Sequence, residues 1–351
     1  MLRLLFPPLF VVFIGCQSHQ PIQTSQQEAI FPLGVPDTHQ ISKYVVHVFT
    51  DSKNRLWMGT MYKGAVCYNH GELTYYSKIN SGCGNTITGF AEDATGNIWM
   101  GSHYGLYLFD GKKIHSIGED YGIPESKETK VSKAEKNNVW ITQGDKIFRL
   151  KEHHFEPIPL PILDTANRYA INPGNPVLRL VDSKGRYWFG TDGYGVFYKS
   201  DNRVVHITQN DGLCSNNITE IIEDKEGRIW ISCIQNFQPE MDNNGGLCRW
   251  EEGEITQFRD KKGLYEGDVY SLYCDSNGTV WIGASGTGIY RFTNNKFTLY
   301  DHTNRMDLSY SMGIQGITED ENGNLWFGLS GGLFRLLNDE IINVDKTGPW
   351  E

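Results

Sequence analysis

The most regular hydrophobic pattern in the chain is a short phrase in which a Trp stands between two apolar residues and is usually followed by Gly. Its clearest copy is Val280-Trp281-Ile282-Gly283. The copies recur every 41 to 51 residues, with the Trp at positions 57, 99, 140, 188, 230, 281 and 326. A period of this size indicates a repeat architecture, in which each repeat is one supersecondary unit.

Polar positions before each Trp follow the same period. An Asp stands six residues before the Trp in every copy except the third, where Ala134 replaces it, and a Gly or Asn stands three residues before. Gly and Asn accept a positive φ at low cost, and Asp readily hydrogen-bonds the backbone of its own turn. Each phrase therefore predicts a hairpin whose second strand carries the Trp.

The repeat around Trp230 predicts four short strands, at 218–223, 228–233, 246–250 and 255–258. Four strands in 40 to 50 residues are typical of a propeller blade. The apolar residues on both sides of the Trp fit a middle strand that is buried between neighbouring blades. Seven phrases therefore predict an all-β fold, a seven-bladed β-propeller of four-stranded antiparallel blades over residues 44–351. A β-sandwich would not repeat one signature seven times.

The N-terminal residues have the layout of a signal peptide, with Arg3 followed by an apolar stretch that is too short to span a bilayer. Residues 1–15 are predicted to be a lipoprotein signal peptide, because Phe13-Ile14-Gly15-Cys16 resembles a lipobox. Cys16 would then carry the lipid, and 16–43 would form a tether. The alternative is an ordinary secretory signal with an incidental Cys. Gln17 after the Cys resembles lipoproteins of the outer membrane.

Three stretches depart from the repeat. The third blade, around Trp140, lacks the Asp and the turn Gly, and a Pro-rich loop follows it. Residues 234–244 form an insertion in the fifth blade, and insertions in a regular scaffold are frequent places for binding loops. Residues 30–33 could add a strand where the first and seventh blades meet.

The chain has 32 Lys and Arg against 42 Asp and Glu, a net charge of −10, with no cluster of basic residues. This balance argues against nucleic acid as a partner and against anionic membrane surfaces. Contact with a membrane is expected only through the lipid. Motifs for metal-dependent, nucleophilic or nucleotide chemistry are not present, so no catalytic residue, metal or cofactor is predicted.

Six Cys follow Cys16, at positions 67, 83, 214, 233, 248 and 274. An even number in an exported protein permits disulfides. Cys233 and Cys248 are the one candidate pair, because they lie on adjacent predicted strands. The alternative, which we favour, is that these Cys are small buried core residues.

The loops that follow the Trp strands carry aromatic residues that core packing does not require. By the repeat geometry these loops emerge on one face near the axis. Aromatic rings beside polar groups suit a ligand such as a sugar. The predicted ligand-binding residues are Tyr62, His103, Tyr104, Asp192, Tyr194 and Phe237. The alternative is that the Tyr rings cap the blade interfaces.

The repeated pattern Asp-x-x-Gly-x-Φ-Trp-Φ-Gly, followed by Gly-Leu or Gly-Ile, resembles the two-component regulator propeller repeat over about 44–344. The segments 210–213 (Asn-Asp-Gly-Leu) and 262–264 (Lys-Gly-Leu) are similar to its blade links. This resemblance implies the periplasmic sensing half of a hybrid sensor kinase, often in glycan-utilising bacteria. Without a membrane helix or kinase domain in the sequence, we expect a stand-alone lipoprotein that binds a ligand or a partner.

Three function classes remain. The leading one is a non-enzymatic ligand-binding or sensory accessory protein, with a small-molecule or glycan ligand on one propeller face. The second is a protein-interaction scaffold that would hold its partner on that face. The third is an enzyme that resembles the streptogramin lyases, which use a His/Glu metal site. His103 is the one His in the post-Trp loops, and the sequence assigns no Glu to it.

Overall fold

The structure is a computed structural model that carries seven separate four-stranded sheets, each made of four consecutive antiparallel strands. The predicted seven-bladed β-propeller is therefore confirmed. The described residues are 39–124, 128–135, 138–158, 176–200, 203–235, 245–258, 264, 267–305 and 313–350. The predicted signal peptide, Cys16 and the proposed strand at 30–33 lie outside them.

The strands of the first four blades run from the axis outward in chain order. Blade 1 has β1 (Val45–Thr50), β2 (Leu56–Thr60), β3 (Gly64–Asn69) and β4 (Glu72–Tyr76); blade 2 has β5 (Ile87–Glu92), β6 (Ile98–Ser102), β7 (Gly105–Phe109) and β8 (Ile114–Ile117). Blade 3 has β9 (Lys130–Glu135), β10 (Asn138–Gln143), β11 (Lys146–Lys151) and β12 (His154–Ile158); blade 4 has β13 (Val177–Val181), β14 (Tyr187–Gly190), β15 (Val196–Ser200) and β16 (Arg203–Ile207).

The last three blades follow the same order. Blade 5 has β17 (Asn217–Glu223), β18 (Ile229–Ile234), β19 (Gly246–Glu251) and β20 (Glu254–Phe258); blade 6 has β21 (Val269–Cys274), β22 (Val280–Ala284), β23 (Gly288–Thr293) and β24 (Lys296–Tyr300). Blade 7 has β25 (Ile314–Glu319), β26 (Leu325–Leu329), β27 (Gly332–Leu337) and β28 (Glu340–Val344). Two 3-10 segments, Glu119–Tyr121 and Gln209–Asp211, are the helical turns of the described residues, which include no helix able to cross a bilayer.

The carboxylate of the repeated Asp explains its fixed distance from the Trp. In blade 6, Asp275 Oδ1 accepts the backbone N–H groups of Asn277 and Thr279, and Oδ2 accepts the indole N–H of Trp281 at 2.8 Å. The same indole bond occurs in the other blades that have the Asp, at 2.6 to 3.0 Å: Asp51–Trp57, Asp93–Trp99, Asp182–Trp188, Asp224–Trp230 and Asp320–Trp326. One carboxylate therefore shapes the turn and also accepts a buried indole N–H that would otherwise have no hydrogen-bond partner.

In blades 1 to 6 each Trp ring packs against an aromatic ring of the next blade, whereas Trp326 of blade 7 packs against Trp350 of the C-terminal segment. Trp281 lies 5.9 Å from Phe327, and Trp188 lies 5.2 Å from Trp250. The middle strands that carry these rings are buried along almost their whole length, as the pattern of the sequence predicts. The core is therefore a series of blade interfaces around the ring rather than one central layer.

The ring closes by contacts that cross between its first and last blades. Residues 39–44 run along blade 7: the backbone N–H of Lys346 donates to His39 O, that of Gly331 donates to Lys43 O, and Gln40 Nε2 donates to Asn343 Oδ1 at 2.8 Å. Ile41 is fully buried there. The packed chain thus includes residues 39–43, which the sequence prediction assigns to the tether.

The C-terminal residues complete this closure from the other side. The ring of Trp350 stacks on Tyr68 of blade 1, with centroids 3.9 Å apart and planes 10° from parallel. Trp350 also lies 6.0 Å from Trp326 of blade 7. Every sheet is built from four consecutive strands, so no blade combines strands from both ends of the chain. The ring is closed instead by these contacts of residues 39–44 with blade 7 and of Trp350 with blade 1.

Candidate functional site

The first strand of each blade lines a central channel, which opens into a cavity at each end. The cavity at the starts of these strands, which we call the loop-side cavity, has a volume of about 370 Å³; its lining includes Tyr44, His47, His103, Glu128 and Lys130. The cavity at the strand ends, which we call the turn-side cavity, has about 550 Å³; its lining includes Phe49, Glu92, Leu180, Tyr273 and Glu319. Arg179 and Glu220 line both.

A β-bulge in the inner strand turns one extra side chain into the loop-side cavity in six of the seven blades. The pairing of the inner strand with its neighbour skips one residue in each case, and every skipped residue lines the cavity: Val46, Thr88, Arg179, Thr219, Tyr270 and Gln315. Bulges re-aim side chains in this way and occur often beside binding sites. In blade 3 the irregularity lies at the other end of the strand, and Lys130 and Ser132 line the cavity.

Two pairs, each of a basic and an acidic side chain, stand at the rim of this cavity. His103 Nδ1 lies 3.4 Å from Glu128 Oε1, and both side chains are about half exposed. Lys130 Nζ lies 3.8 Å from Asp192 Oδ2. The expectation that no Glu accompanies His103 is wrong, because the connection between blades 2 and 3 brings Glu128 to it. The 25 residues that separate the two in the sequence hide this pair.

Two phenols and one amide, those of Tyr44, Tyr270 and Gln315, share the opposite wall, and Asp268 lies close to it in the sequence. Burial raises the pKa of Tyr44, while a hydrogen bond with Gln315 acts in the other direction. Burial also raises the pKa of Tyr270, with further increases from the charges of Asp268 and Tyr44. The pKa of Asp268 is itself raised by burial, against the backbone N–H of Gln235 that its carboxylate accepts at 2.6 Å. These phenols therefore stay protonated near neutral pH and can donate hydrogen bonds.

Tyr62 and Tyr104, two of the predicted ligand-binding residues, project from this same end. Their side chains are 76 % and 67 % exposed. Each follows a residue that lines the loop-side cavity, Met61 before Tyr62 and His103 before Tyr104. Tyr62 adopts a φ of +80°, an uncommon conformation for a non-Gly residue that holds the ring outside the blade. Both rings therefore stand beside the cavity with no core role.

The remaining predicted residues divide between the rim and the core. Asp192 is at the rim through its contact with Lys130. Tyr194 is partly buried against a cluster that includes Phe189 and Phe197, and its carbonyl oxygen lies 2.6 Å from His206 Nε2. Phe237 lies outside the described residues.

The alternation of apolar and polar residues gave no sign of the bulge side chains, because a bulge breaks alternation. Distance from the Trp is the signal that finds them. In blades 1, 2, 5, 6 and 7 the bulge residue stands eleven positions before the Trp of its own blade: Val46, Thr88, Thr219, Tyr270 and Gln315. Arg179 in blade 4 stands nine positions before Trp188, since its bulge is displaced along the strand.

The turn-side cavity has a different character. Apolar side chains such as Phe49 and Leu180 form its walls, and acidic residues such as Glu92 and Glu319 stand at its edge. Burial, with a smaller contribution from the charge of Glu319, raises the pKa of Tyr273 to about 12. Hydroxyl groups line this cavity too, on Thr50, Ser52, Thr318 and Tyr273, but the loop-side cavity has more of them and also the amide of Gln315.

Metal and thiol chemistry have few candidates in the described part of the chain. No group of three or more His, Cys, Asp or Glu there is arranged to hold a metal ion. The six Cys from Cys67 to Cys274 are free thiols, five of them buried. Cys233 and Cys248 are not bonded to each other in this structure, and the burial of five of the six Cys agrees with the core role that the sequence favours.

The sequence profile of a family described as two component regulator propeller matches residues 81–104, 212–235 and 266–286. These segments contain Trp99, Trp230 and Trp281, so the resemblance drawn from the repeated phrase is confirmed. No curated protein sequence matches the chain.

Solved structures with the same fold include extracellular domains and enzymes. Two come from B. thetaiotaomicron proteins named as hybrid two component systems, with TM-scores of 0.66 and 0.64 at 23% and 15% identity. They match 85% of this chain, which spans 39% and 38% of their lengths. A catalytically inactive virginiamycin B lyase from Staphylococcus aureus, solved with quinupristin, has a TM-score of 0.61 at 16% identity, over 86% of this chain and 96% of that one. At these identities the likeness shows the fold.

Proposed function

We propose that this protein is a non-enzymatic binding protein that takes a small polyhydroxylated ligand, such as a sugar, in the loop-side cavity. The observation that carries the proposal is the ring of bulge residues. In six blades the inner strand contains a bulge, and the bulge residue lines the same cavity. A bulge disrupts the ladder of hydrogen bonds locally.

The chemistry of the cavity fits this ligand class. Tyr270 and Gln315 offer hydroxyl and amide groups that can both donate and accept hydrogen bonds. The hydroxyls of Thr88 and Thr219 donate to Gly101 O and Val269 O, so they can accept from a ligand. Arg179 adds guanidinium donors to the same cavity. The exposed rings of Tyr62 and Tyr104 could cover the C–H face of a sugar that extends beyond the cavity. Ligand sites of this size usually combine apolar surface with a few converging polar groups.

We propose further that the protein is exported and held by a lipid on Cys16, on the outer membrane. The residue pattern before Cys16 supports this placement. The propeller repeat, with solved extracellular domains of the same fold, supports a role beside a two-component sensor. In that role, ligand or partner binding at the propeller face would be the signal that is passed on.

Two alternatives remain open to the same experiment. A scaffold is favoured by the exposure of Tyr62 and Tyr104, since aromatic residues are enriched where proteins meet. A lyase-like enzyme is favoured by the His103–Glu128 pair, which could act as a base with its orienting acid. Both alternatives place the function at the loop-side end of the channel, where a protein would bind in the first case and a substrate in the second.

The test is a glycan array with the purified protein, followed by calorimetry with each glycan retained. Gln315→Ala and Thr88→Ala should weaken binding at least several-fold. His103→Ala tests the His–Glu pair at the cavity. Its matched control is His115→Ala, because His115 on the outermost strand β8 forms a similar pair with Asp110 at 2.8 Å, away from the cavity. Absence of glycan binding, together with a protein partner whose capture depends on Tyr62 and Tyr104, would replace this proposal with the scaffold. Turnover of a streptogramin that His103→Ala abolishes would replace it with the enzyme.

A further inference from the structure

Three buried thiols meet inside blade 5. Cys214 lies in the connection between β16 and β17, Cys233 lies on β18 and Cys248 on β19, and all three are fully buried. The thiol of Cys248 lies 2.9 Å from the sulfur of Cys214, and the backbone N–H of Cys214 donates to Cys248 Sγ at 3.1 Å. Residues far apart in the sequence are thus brought into direct sulfur contact.

The strand register disfavours Cys233, but not Cys214, as the disulfide partner of Cys248. Cys233 pairs directly with Gly246, and Cys248 pairs with Ile231, so Cys233 and Cys248 are diagonal neighbours on one face. Diagonal neighbours have Cα atoms about 7–8 Å apart, whereas disulfides need about 4.4–6.8 Å. Cys214 comes from a connecting segment that this register does not constrain, and its sulfur already touches that of Cys248.

We propose that Cys214 and Cys248 form a disulfide when the protein folds under oxidising conditions, and that Cys233 remains a thiol. The oxidant is a disulfide reagent, either oxidised glutathione or a protein disulfide. One thiolate attacks the reagent to form a mixed disulfide and releases one reduced thiol; the second thiolate then displaces the other. The balance is two protein thiols and one reagent disulfide giving one protein disulfide and two reagent thiols.

The bond has to form before blade 5 is fully packed. Burial raises the pKa of Cys248 well above its usual value, with smaller contributions from its two Cys neighbours. A thiol that stays protonated and out of contact with solvent does not exchange. Once closed, the bond joins the link from blade 4 to β19 across 34 residues, a loop that contains the insertion of blade 5.

Blade 2 supplies an internal comparison. Cys83 stands sixteen residues before Trp99, as Cys214 stands sixteen before Trp230. The residue of blade 2 that matches Cys248 in register is Tyr107, which pairs with Met100 as Cys248 pairs with Ile231. The thiol of Cys83 is close enough to Tyr107 to influence its pKa, so it faces a phenol instead of a second sulfur. Cys83 is therefore expected to stay free under the same conditions.

The experiment is disulfide mapping of the unmodified chain. The protein is refolded in a buffer of oxidised and reduced glutathione, remaining thiols are alkylated, and its peptides are analysed by mass spectrometry without reduction. We expect a Cys214–Cys248 peptide pair, with Cys83 and Cys233 alkylated. Finding all these thiols alkylated, or finding Cys233 bonded to Cys248, overturns the proposal.

Variants then test the consequence for stability. Cys233→Ser should keep the bond, and dithiothreitol should lower its unfolding midpoint by several degrees. Cys214→Ser should show no midpoint shift with dithiothreitol. Equal shifts in both variants would contradict the assignment. Because the peptide map uses the unmodified chain, failure of a variant to fold leaves the main test intact.

Discussion

The Ser52 side chain and backbone both bind the carboxylate of Glu92, which belongs to the next blade. Ser52 Oγ donates to Glu92 Oε1 at 2.6 Å and its N–H donates to Oε2 at 2.8 Å. Ser183 binds Glu223 and Ser276 binds Glu319 in the same way. In each pair the Ser follows the turn Asp, and the Glu ends the inner strand of the following blade. These pairs fasten neighbouring blades at the turn-side end.

Removal of the Ser52–Glu92 contact should lower the free energy of unfolding by a small but measurable amount. Ser52→Ala deletes the hydroxyl bond and keeps the backbone one, so we expect a loss of about 1 kcal/mol in the free energy of unfolding, reduced by solvent because the pair is exposed. Urea unfolding of Ser52→Ala, Glu92→Gln and the double variant measures the coupling. Ser116→Ala, an exposed Ser on β8, is the control. Strictly additive effects would show that the contact contributes nothing.

The indole of Trp281 should contribute far more. Trp281→Ala empties a blade interface and is expected to cost about 3–5 kcal/mol, a large part of the about 5–15 kcal/mol typical of a domain. Trp281→Phe keeps a ring but leaves Asp275 Oδ2 without the indole N–H. Its smaller loss measures that bond together with the space left by the smaller ring. An unchanged melting midpoint for Trp281→Ala would contradict the packing of this interface.

Acid should weaken blade 2 through Asp93. Burial alone would raise the pKa of this carboxyl, but hydrogen bonds from Thr95, Trp99 and Asn97 outweigh it and hold the pKa below the usual value. A depressed pKa stabilises the fold above the unfolded value of about 3.9, and this stability is lost as pH falls through the folded pKa. The free energy of unfolding should therefore decline below about pH 4. Asp93→Asn should decline less steeply; an identical slope would exclude this carboxyl as a cause.

The three loop tyrosines should separate into two groups. Tyr62→Ala and Tyr104→Ala should weaken ligand binding and leave the melting midpoint nearly unchanged, because both rings are mostly exposed. Tyr194→Ala should lower the midpoint, because this ring packs against a buried cluster. Calorimetric titration with a retained glycan and thermal unfolding measure the two effects. Early unfolding of the first two variants would show that their rings cap blade interfaces.

The proposed lipid anchor has a direct test. Cys16→Ser should move the protein from the membrane fraction to the soluble exported fraction, because a thioether-linked lipid can form only on Cys. Immunoblots of fractionated cells measure the distribution. A variant that still sediments with membranes would exclude lipidation at Cys16 as the cause of attachment.

The sequence was sufficient for the fold because one phrase recorded both the turn and the interface of each blade. Asp275 and Trp281 are six residues apart, and the bond between them is local. The site depends on contacts that no local pattern records. His103 meets Glu128 only because two blades stand side by side, and Gln315 faces the cavity because of a bulge. The disposition of Tyr194 toward the core likewise depends on a neighbouring blade, so its loop position alone could not reveal it.

The crossed closure of the ring also determines how the molecule responds to force. Tension on the chain that precedes His39 reaches the contacts of residues 39–43 with blade 7 before it reaches the sheet of blade 1. These contacts include the backbone bonds at His39 and Lys43 and the Gln40–Asn343 bond, and no covalent link joins the two blades among the described residues. A pull from that end therefore acts first on these closure contacts. Force applied there would be borne first by the hydrogen bonds between residues 39–43 and blade 7, and only afterwards by the strand pairing of blade 1.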